Sequence, residues 1–156
     1  MTRLLILAAA TAALAGCAHA KIAGTDIEDT SENHAIIDLM NKYREAVEAK
    51  DVPTLTSLLD PSFKDDGGTT SPDDDLDYQS AGAKLNERFA KLDNVKLDLD
   101  IRKIRIKDDI AGAVYHYNTR FVIHGSNGTK LTQSDSEIKE MEFKRVDGAW
   151  KITSGI

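Results

Sequence analysis

Apolar residues recur every three to four positions between residues 30 and 49. The repeating positions are Ile36, Met40, Tyr43 and Val47. Asp29 and Glu32 precede them in an arrangement that resembles a capping box, which satisfies the N–H groups of a first helical turn. Because this spacing places the apolar residues on one face of a helix, the sequence predicts a helix over residues 30–49.

Two shorter helices are predicted to follow. Asp51 caps the first of them, Pro53 lies in its first turn and Pro61 ends it. The other spans residues 80–92, and its apolar positions are Leu85, Phe89 and Leu92. Between the two helices, residues 64–77 contain a glycine pair and six aspartates, and this composition predicts a loop.

After residue 93 the apolar period changes to two, which is typical of a half-buried strand. The alternating positions are Val95, Leu97, Leu99 and Ile101. At Arg102–Lys103 the alternation slips by one residue, which indicates a β-bulge that bends the strand. Further strands are predicted over residues 111–124, 130–145 and 150–154.

Tight turns separate the predicted strands. The turn pairs are Asp108–Asp109, Asn127–Gly128 and Asp147–Gly148. Strands joined by such short turns are antiparallel neighbours. The sequence therefore predicts an α+β fold, in which three helices come first and then cover one face of a curved antiparallel sheet.

The first sixteen residues have the layout of a secretory signal. Arg3 gives the segment a positive start, and residues 4–14 are apolar or small. The segment closes with the run Leu14-Ala15-Gly16-Cys17, which contains the single cysteine of the chain. Its apolar part is too short to span a bilayer, because a spanning helix needs about twenty residues.

The run that ends at Cys17 resembles the lipobox of bacterial lipoproteins. The resemblance implies that residues 1–16 are a signal peptide and that Cys17 becomes the lipidated first residue. Residues 17–30 would then be a tether, and residues 31–156 a single domain. The residue after Cys17 is Ala18 and not an aspartate. By the same resemblance, this implies that the protein is anchored in the outer membrane and faces the periplasm. We therefore expect a lipid-anchored envelope protein whose first partner is the membrane.

Composition argues against several classes of function. The chain carries 20 basic and 26 acidic residues, a net charge of −6, whereas nucleic-acid binding rests on clustered Lys and Arg. A single cysteine provides neither an internal disulfide nor a cysteine-based zinc site. The aspartates of residues 65–77 lack the spacing of a calcium loop. We expect no nucleic-acid partner, no metal and no cofactor.

Three segments resemble the nuclear transport factor 2-like superfamily, which includes polyketide cyclases of the SnoaL type and ketosteroid isomerase. They are residues 43–51 (YREAVEAKD), residues 82–85 (GAKL) and residues 143–152 (FKRVDGAWKI). The resemblance spans most of residues 32–154. It implies a cone, in which the sheet wraps around the helices and leaves a pocket at the wide end.

The same resemblance implies two candidate catalytic residues. Tyr43 matches the tyrosine that donates a hydrogen bond to the developing enolate in ketosteroid isomerase. Asp66 matches the base of that enzyme, with Asp65 as a competing position. The third element of the isomerase, a protonated acid, falls near Lys139–Glu140 in this chain. A lysine cannot act as a neutral acid, which argues against steroid-type isomerisation.

The strand over residues 111–124 has one mainly apolar face, which we expect to face the helices. Tyr115 and Tyr117 lie on that face, and we predict that they line the pocket together with Tyr43 and Asp135. His116 lies on the opposite face, where members of the superfamily often dimerise, so we expect it to point outward.

Three hypotheses of function remain open. The first is a domain that binds a small apolar ligand or a partner protein, without catalysis. The second is an enzyme of the SnoaL or isomerase type that acts on a small apolar carbonyl compound through Tyr43 and Asp66. The third is a structural or assembly protein that forms a homodimer through the outer face of its sheet.

Overall fold

A computed structural model of the chain describes residues 20–67, 75–124 and 128–156. Its helices are α1 (Ser31–Ala49), α2 (Val52–Leu58) and α3 (Ala81–Ala90). Two short strands, β1 (Lys64–Asp65) and β2 (Leu76–Asp77), pair with each other. The main sheet contains β3 (Leu92–Lys107), β4 (Ile110–His124), β5 (Lys130–Val146) and β6 (Ala149–Ser154), antiparallel and in chain order. The predicted α+β class is confirmed.

Local side chains set the ends of the first two helices. The cap of α1 is Thr30, whose hydroxyl accepts a hydrogen bond from the N–H of Asn33 at 3.1 Å. The helix ends at Lys50, whose φ of 55° turns the chain. Asp51 caps α2 as predicted, because its carboxylate accepts from the N–H of Thr54 at 3.1 Å.

The predicted bulge in β3 is confirmed. Ile101 lies opposite Tyr115 and Lys103 lies opposite Val114, so Arg102 is the extra residue on β3. The slip keeps the apolar side chains of both halves of β3 on the concave face of the sheet, against which the helices pack. The largest fully buried side chains of this core are Phe63, Phe143, Ile36, Met40, Met141 and Ile152.

The described ends of the segment predicted as a loop are more ordered than expected. Lys64 pairs with Asp77 and Asp65 pairs with Leu76, which makes a two-residue hairpin at the edge of the domain. Phe63 and Leu76 are both buried, so the two ends of the segment are fixed in the core. This anchoring aligns the backbones of β1 and β2, although neither has a strand pattern in the sequence.

The residues just before α1 are folded, although the sequence predicted a tether there. Lys21 and Glu28 form a β-bridge, and the N–H of Ile22 donates to the carbonyl of Ile27 at 2.9 Å. Ile27 is buried. A single turn with one buried side chain has no periodicity, which is why the sequence pattern did not indicate it. Cys17 and the predicted signal peptide lie outside the described residues.

Candidate functional site

A small cavity lies on the concave face of the sheet, against α1, and we call it the tyrosine cavity. Its volume is about 210 Å³. Strand alternation places its β4 and β5 residues on one face, because Tyr117 lies opposite Glu137 and Thr119 lies opposite Asp135. The lining residues are Tyr43, Val47, Leu97, Leu99, Tyr115, Tyr117, Thr119, Asp135, Lys139 and Ile156. The four residues predicted to line a pocket therefore lie together.

The hydroxyls of the three tyrosines differ in their partners. Tyr115 donates to the carbonyl of Gly155 at 2.9 Å, and Tyr117 donates to a carboxylate oxygen of Asp135 at 2.6 Å. The hydroxyl of Tyr43 makes no hydrogen bond with any residue in the described ranges. Tyr43 is therefore the tyrosine of this cavity whose hydroxyl remains available to a bound molecule.

Burial and nearby charges keep the tyrosine hydroxyls neutral. Burial raises the pKa of Tyr43, and the negative charge of Asp65 raises it further. Burial also raises the pKa of Tyr117, followed by its hydrogen bond to Asp135. The same hydrogen bond, together with one from the N–H of Ser136, lowers the pKa of Asp135. At neutral pH the cavity therefore contains phenol donors and an ionised carboxylate.

Lys139 brings a positive charge to the cavity. Its Nζ atom lies 5.8 Å from the centroid of the Tyr117 ring, within the range of a cation–π interaction. It also lies 3.5 Å from the carbonyl oxygen of Ile156, to which it donates. These contacts position the ammonium group beside the aromatic wall.

A second, more open cavity lies beside the first, and we call it the polar cavity. It has a volume of about 920 Å³ and is lined by charged residues from the β1–β2 hairpin, α3 and β5, among them Asp65, Asp66, Lys84 and Glu137. Lys139 lines both cavities. The two cavities are thus neighbours with different chemistry.

The predicted pair of Tyr43 and Asp66 is not brought into one cavity. Tyr43 lines the tyrosine cavity, whereas Asp66 lines the polar cavity. The neighbouring Asp65 is the carboxylate whose charge acts on Tyr43. One oxygen of Asp65 already accepts from the N–H groups of Gly155 and Ile156, at 2.7 and 2.8 Å. A shift of one residue along β1 thus determines which carboxylate lies near the tyrosine.

His116 lies on the convex face of the sheet, opposite to Tyr115 and Tyr117, as expected from the alternation along the strand. Its Nε2 atom is 2.9 Å from the hydroxyl of Ser136 on β5. Ile138 lies directly opposite His116 and is 55% exposed, within a face that is otherwise mainly polar. This face is separate from both cavities.

Sequence analysis did not assign six of the lining residues to the pocket, and one of these, Val47, lies one turn after Tyr43 on α1. Leu97, Leu99 and Thr119 could have been found, because they share strand parity with predicted core or pocket residues. Lys139 shares parity with Asp135 in the same way. Ile156 had no signal, since it follows the last strand and its position depends on a turn.

The described residues contain neither a metal-binding cluster nor a helix that could cross a membrane. No group of three or more His, Cys, Asp or Glu side chains among them is arranged to hold a metal ion. No helix within these ranges has the length and apolar character needed to cross a membrane.

The sequence matches no protein-family model and no curated protein. Solved structures do resemble it. A conserved protein from Planctomyces limnophilus DSM 3776 aligns with a TM-score of 0.67 at 15% identity, over 80% of this chain and 92% of that one. A proposed dehydratase of the NTF2-like family from Streptomyces avermitilis gives 0.65 at 16% identity, over 79% and 92%. A hexachlorocyclohexane dehydrochlorinase gives 0.66 at 13%, over 80% and 82%. Identities this low show a shared fold alone.

Proposed function

Because the chain has the nuclear transport factor 2-like fold, we propose that its domain binds a small, mainly apolar ligand with one neutral hydrogen-bond acceptor in the tyrosine cavity. The observation that carries the proposal is the hydroxyl of Tyr43. It is a neutral donor that belongs to the cavity lining and has no hydrogen-bond partner among the described residues.

The size and walls of the cavity support an apolar ligand. An apolar cavity of about 150 Å³ is large enough to bind benzene. The tyrosine cavity, at about 210 Å³, is large enough for a ring with a short substituent. Val47, Leu97 and Leu99 supply an aliphatic wall, and each methylene group buried against such a wall contributes about 0.8 kcal/mol.

The electrostatics around the Tyr43 hydroxyl favour a neutral acceptor. A ligand oxygen that accepts a hydrogen bond from the Tyr43 hydroxyl would contribute about 0.5–1.5 kcal/mol. The negative charge of Asp65 acts on the Tyr43 hydroxyl, so a carboxylate ligand at that position would meet repulsion. A ketone, ester or ether oxygen avoids that repulsion.

The hydrogen bonds of the two nearest carboxylates favour binding over acid–base catalysis. Asp135 accepts from Tyr117 and Ser136, and these bonds lower its pKa. Asp65 accepts from Gly155 and Ile156. A general base works best when its pKa lies near the operating pH. Asp135, whose charged form is stabilised in this way, is a weak base for that role, and one oxygen of Asp65 is occupied by two backbone N–H groups.

The test uses two ring compounds of similar size, acetophenone and ethylbenzene, which differ in the carbonyl oxygen. We expect ligand-observed NMR titrations to show saturable binding of both, with acetophenone the tighter. Tyr43→Phe should weaken acetophenone by about 2- to 10-fold, the equivalent of one hydrogen bond, and leave ethylbenzene unchanged. Tyr78→Phe is the matched control, since Tyr78 is 43% exposed and lies outside the cavity. Equal loss for both compounds, or binding of neither, would contradict the proposal.

A second candidate function is proton transfer on the same class of ligand. It is favoured by the presence of a phenol donor, Tyr43, and an ionised carboxylate, Asp135, in one cavity. Two of the similar structures are described as a dehydratase and a dehydrochlorinase. If the domain catalyses proton abstraction, it should exchange the methyl protons of acetophenone in D₂O faster than buffer does, and Asp135→Asn should remove the excess. Exchange at the buffer rate would leave binding as the function.

We also propose that Cys17 is lipidated and anchors the protein in the outer membrane. Support comes from the lipobox-like run and the preceding apolar segment. Intact mass spectrometry of protein purified from its own membrane should show an acylated Cys17 as the first residue. Cys17→Ser should release the protein into the soluble envelope fraction. An unmodified start downstream of Cys17 would contradict the proposal.

A further inference from the structure

The two residues after β6 turn back toward the tyrosine cavity. Gly155 has a φ of +82°, a conformation that favours glycine. A Cβ atom at this position would lie 2.0 Å from the carbonyl oxygen of Glu140, which is backbone and cannot give way. The turn therefore requires glycine for two independent reasons, and it determines where Ile156 lies.

Four hydrogen bonds from three strands hold these two residues. Asp65 on β1 accepts from the N–H groups of Gly155 and Ile156, at 2.7 and 2.8 Å. Tyr115 on β4 donates to the carbonyl of Gly155 at 2.9 Å, and Lys139 on β5 donates to the carbonyl of Ile156 at 3.5 Å. All four backbone groups of the pair are therefore bound to side chains of the two cavities.

The pair lies on the boundary between the two cavities. Ile156 lines the tyrosine cavity and Gly155 lines the polar cavity. Lys139, which contacts the pair, lines both. Because the pair is held by side chains and lies outside the strand ladder of β6, its release would leave the sheet intact.

We propose that residues 155–156 are a latch that closes the tyrosine cavity, with Asp65 as the group that holds it shut. This inference rests on the proposed binding function of that cavity. When the latch is released, the tyrosine cavity opens into the polar cavity. The site then accepts a longer ligand, whose apolar end lies among the tyrosines and whose other end extends along the charged wall.

The latch gives Asp65 a different role from that of a base. Both of its hydrogen bonds are to backbone N–H groups, and bonds of this kind to an ionised carboxylate are among the stronger ones in proteins. Asp65 also places negative charge near Tyr43. It therefore acts on the ligand through the latch and through its charge.

The test compares acetophenone with the longer ketone 4-acetylbiphenyl in full-length protein. Gly155→Ala prevents the closed turn, and Asp65→Asn weakens the hold on it. We expect both variants to bind 4-acetylbiphenyl at least tenfold more tightly than the wild type does, with a smaller gain or a loss for acetophenone. The control is Gly148→Ala, which places alanine at a φ of +80° with no atom within 4 Å of its Cβ. General damage to the fold would weaken both ketones, so a selective gain for the longer one supports the latch.

A second readout does not depend on ligand binding. Amide hydrogen exchange of Ile156 should be slow in the wild type and at least tenfold faster in Asp65→Asn, with the amide of Ala113 in the core unchanged. An unprotected Ile156 amide in the wild type would overturn the latch. Unchanged affinity for 4-acetylbiphenyl in both variants would overturn it as well, while binding of acetophenone would still support the proposed function. If neither ketone binds any variant, the proposed function fails, and the exchange experiment alone decides on the latch.

Discussion

Among the three cavity tyrosines, Tyr115 should be the one whose replacement by phenylalanine lowers stability. Tyr115 is 2% exposed, and its hydroxyl donates to Gly155 at 2.9 Å, so its removal should cost about 0.5–1.5 kcal/mol of unfolding free energy. The Tyr43 hydroxyl has no such partner among the described residues. Because that hydroxyl is not a fully buried atom, water can bond to it, and Tyr43→Phe should change the free energy of unfolding by less than about 0.5 kcal/mol.

Tyr117→Phe should have an effect as small as that of Tyr43→Phe. Its hydroxyl donates to Asp135 at 2.6 Å, but that carboxylate is exposed and water can replace the lost bond. We expect Tyr117→Phe to change stability by less than about 0.5 kcal/mol, which is the usual size of a surface effect. Tyr43→Phe and Tyr117→Phe should therefore stay close to the wild type in stability, and Tyr115→Phe should be the least stable of the three.

Urea unfolding followed by the fluorescence of Trp150 measures these differences, with stability taken from linear extrapolation. For a domain of this size, 1 kcal/mol corresponds to about 3–5 °C in Tm, so thermal scans provide an independent check. Tyr78→Phe on the surface sets the baseline. If Tyr43→Phe is as destabilising as Tyr115→Phe, the Tyr43 hydroxyl has a partner in the folded protein. The argument that it is kept for a ligand would then be refuted.

Two further predictions concern the core and the mouth of the cavity. Ile152→Ala should lower the free energy of unfolding by about 2–5 kcal/mol, because Ile152 is 0% exposed. Ile110→Ala, at a 56% exposed position, should lower it by less than about 0.5 kcal/mol. Similar losses at both positions would show that β6 does not pack as described. Asp135 should titrate by NMR below its ordinary pKa of 3.8, and Tyr117→Phe should move the pKa back toward that value. The pKa of Asp135 is lower in the folded state than in the unfolded state. Any stability that Asp135 adds is therefore fully present above the unfolded-state pKa and is lost as the pH falls through the folded-state pKa. An unshifted pKa in the wild type would contradict the hydrogen bond.

Periodicity was sufficient to predict the fold, because each element has a side that must be buried. The helical repeat from Ile36 to Val47 and the alternation from Val95 to Ile101 both predicted the elements that the structure contains. The bulge was visible as well, since a slip in alternation has one simple structural cause. The β1–β2 hairpin was not predictable, because two-residue strands are too short to show a period and depend on the burial of Phe63 and Leu76.

The residues of the candidate site were predictable only where strand alternation or helical spacing determines the side to which a residue points. Tyr115, Tyr117 and Asp135 follow from strand alternation, and Tyr43 follows from the face of α1. The choice between Asp65 and Asp66 was not determined by the sequence, because it depends on the exact direction of a two-residue strand. The position of Ile156 depends on the left-handed turn at Gly155, which no local pattern indicates.

The bulge at Arg102 divides β3 into two segments that can vary separately. The segment before it contributes Leu97 and Leu99 to the tyrosine cavity, and the segment after it contributes Ile104 and Ile106 to the core. Substitutions in the first segment can reshape the cavity without changing the register of the second. Deleting Arg102, in contrast, would remove the bulge and straighten β3, while Ile104 and Ile106 would keep their partners and stay on the inner face. Relatives with this bulge should therefore diverge in ligand choice more readily than in the length of this strand.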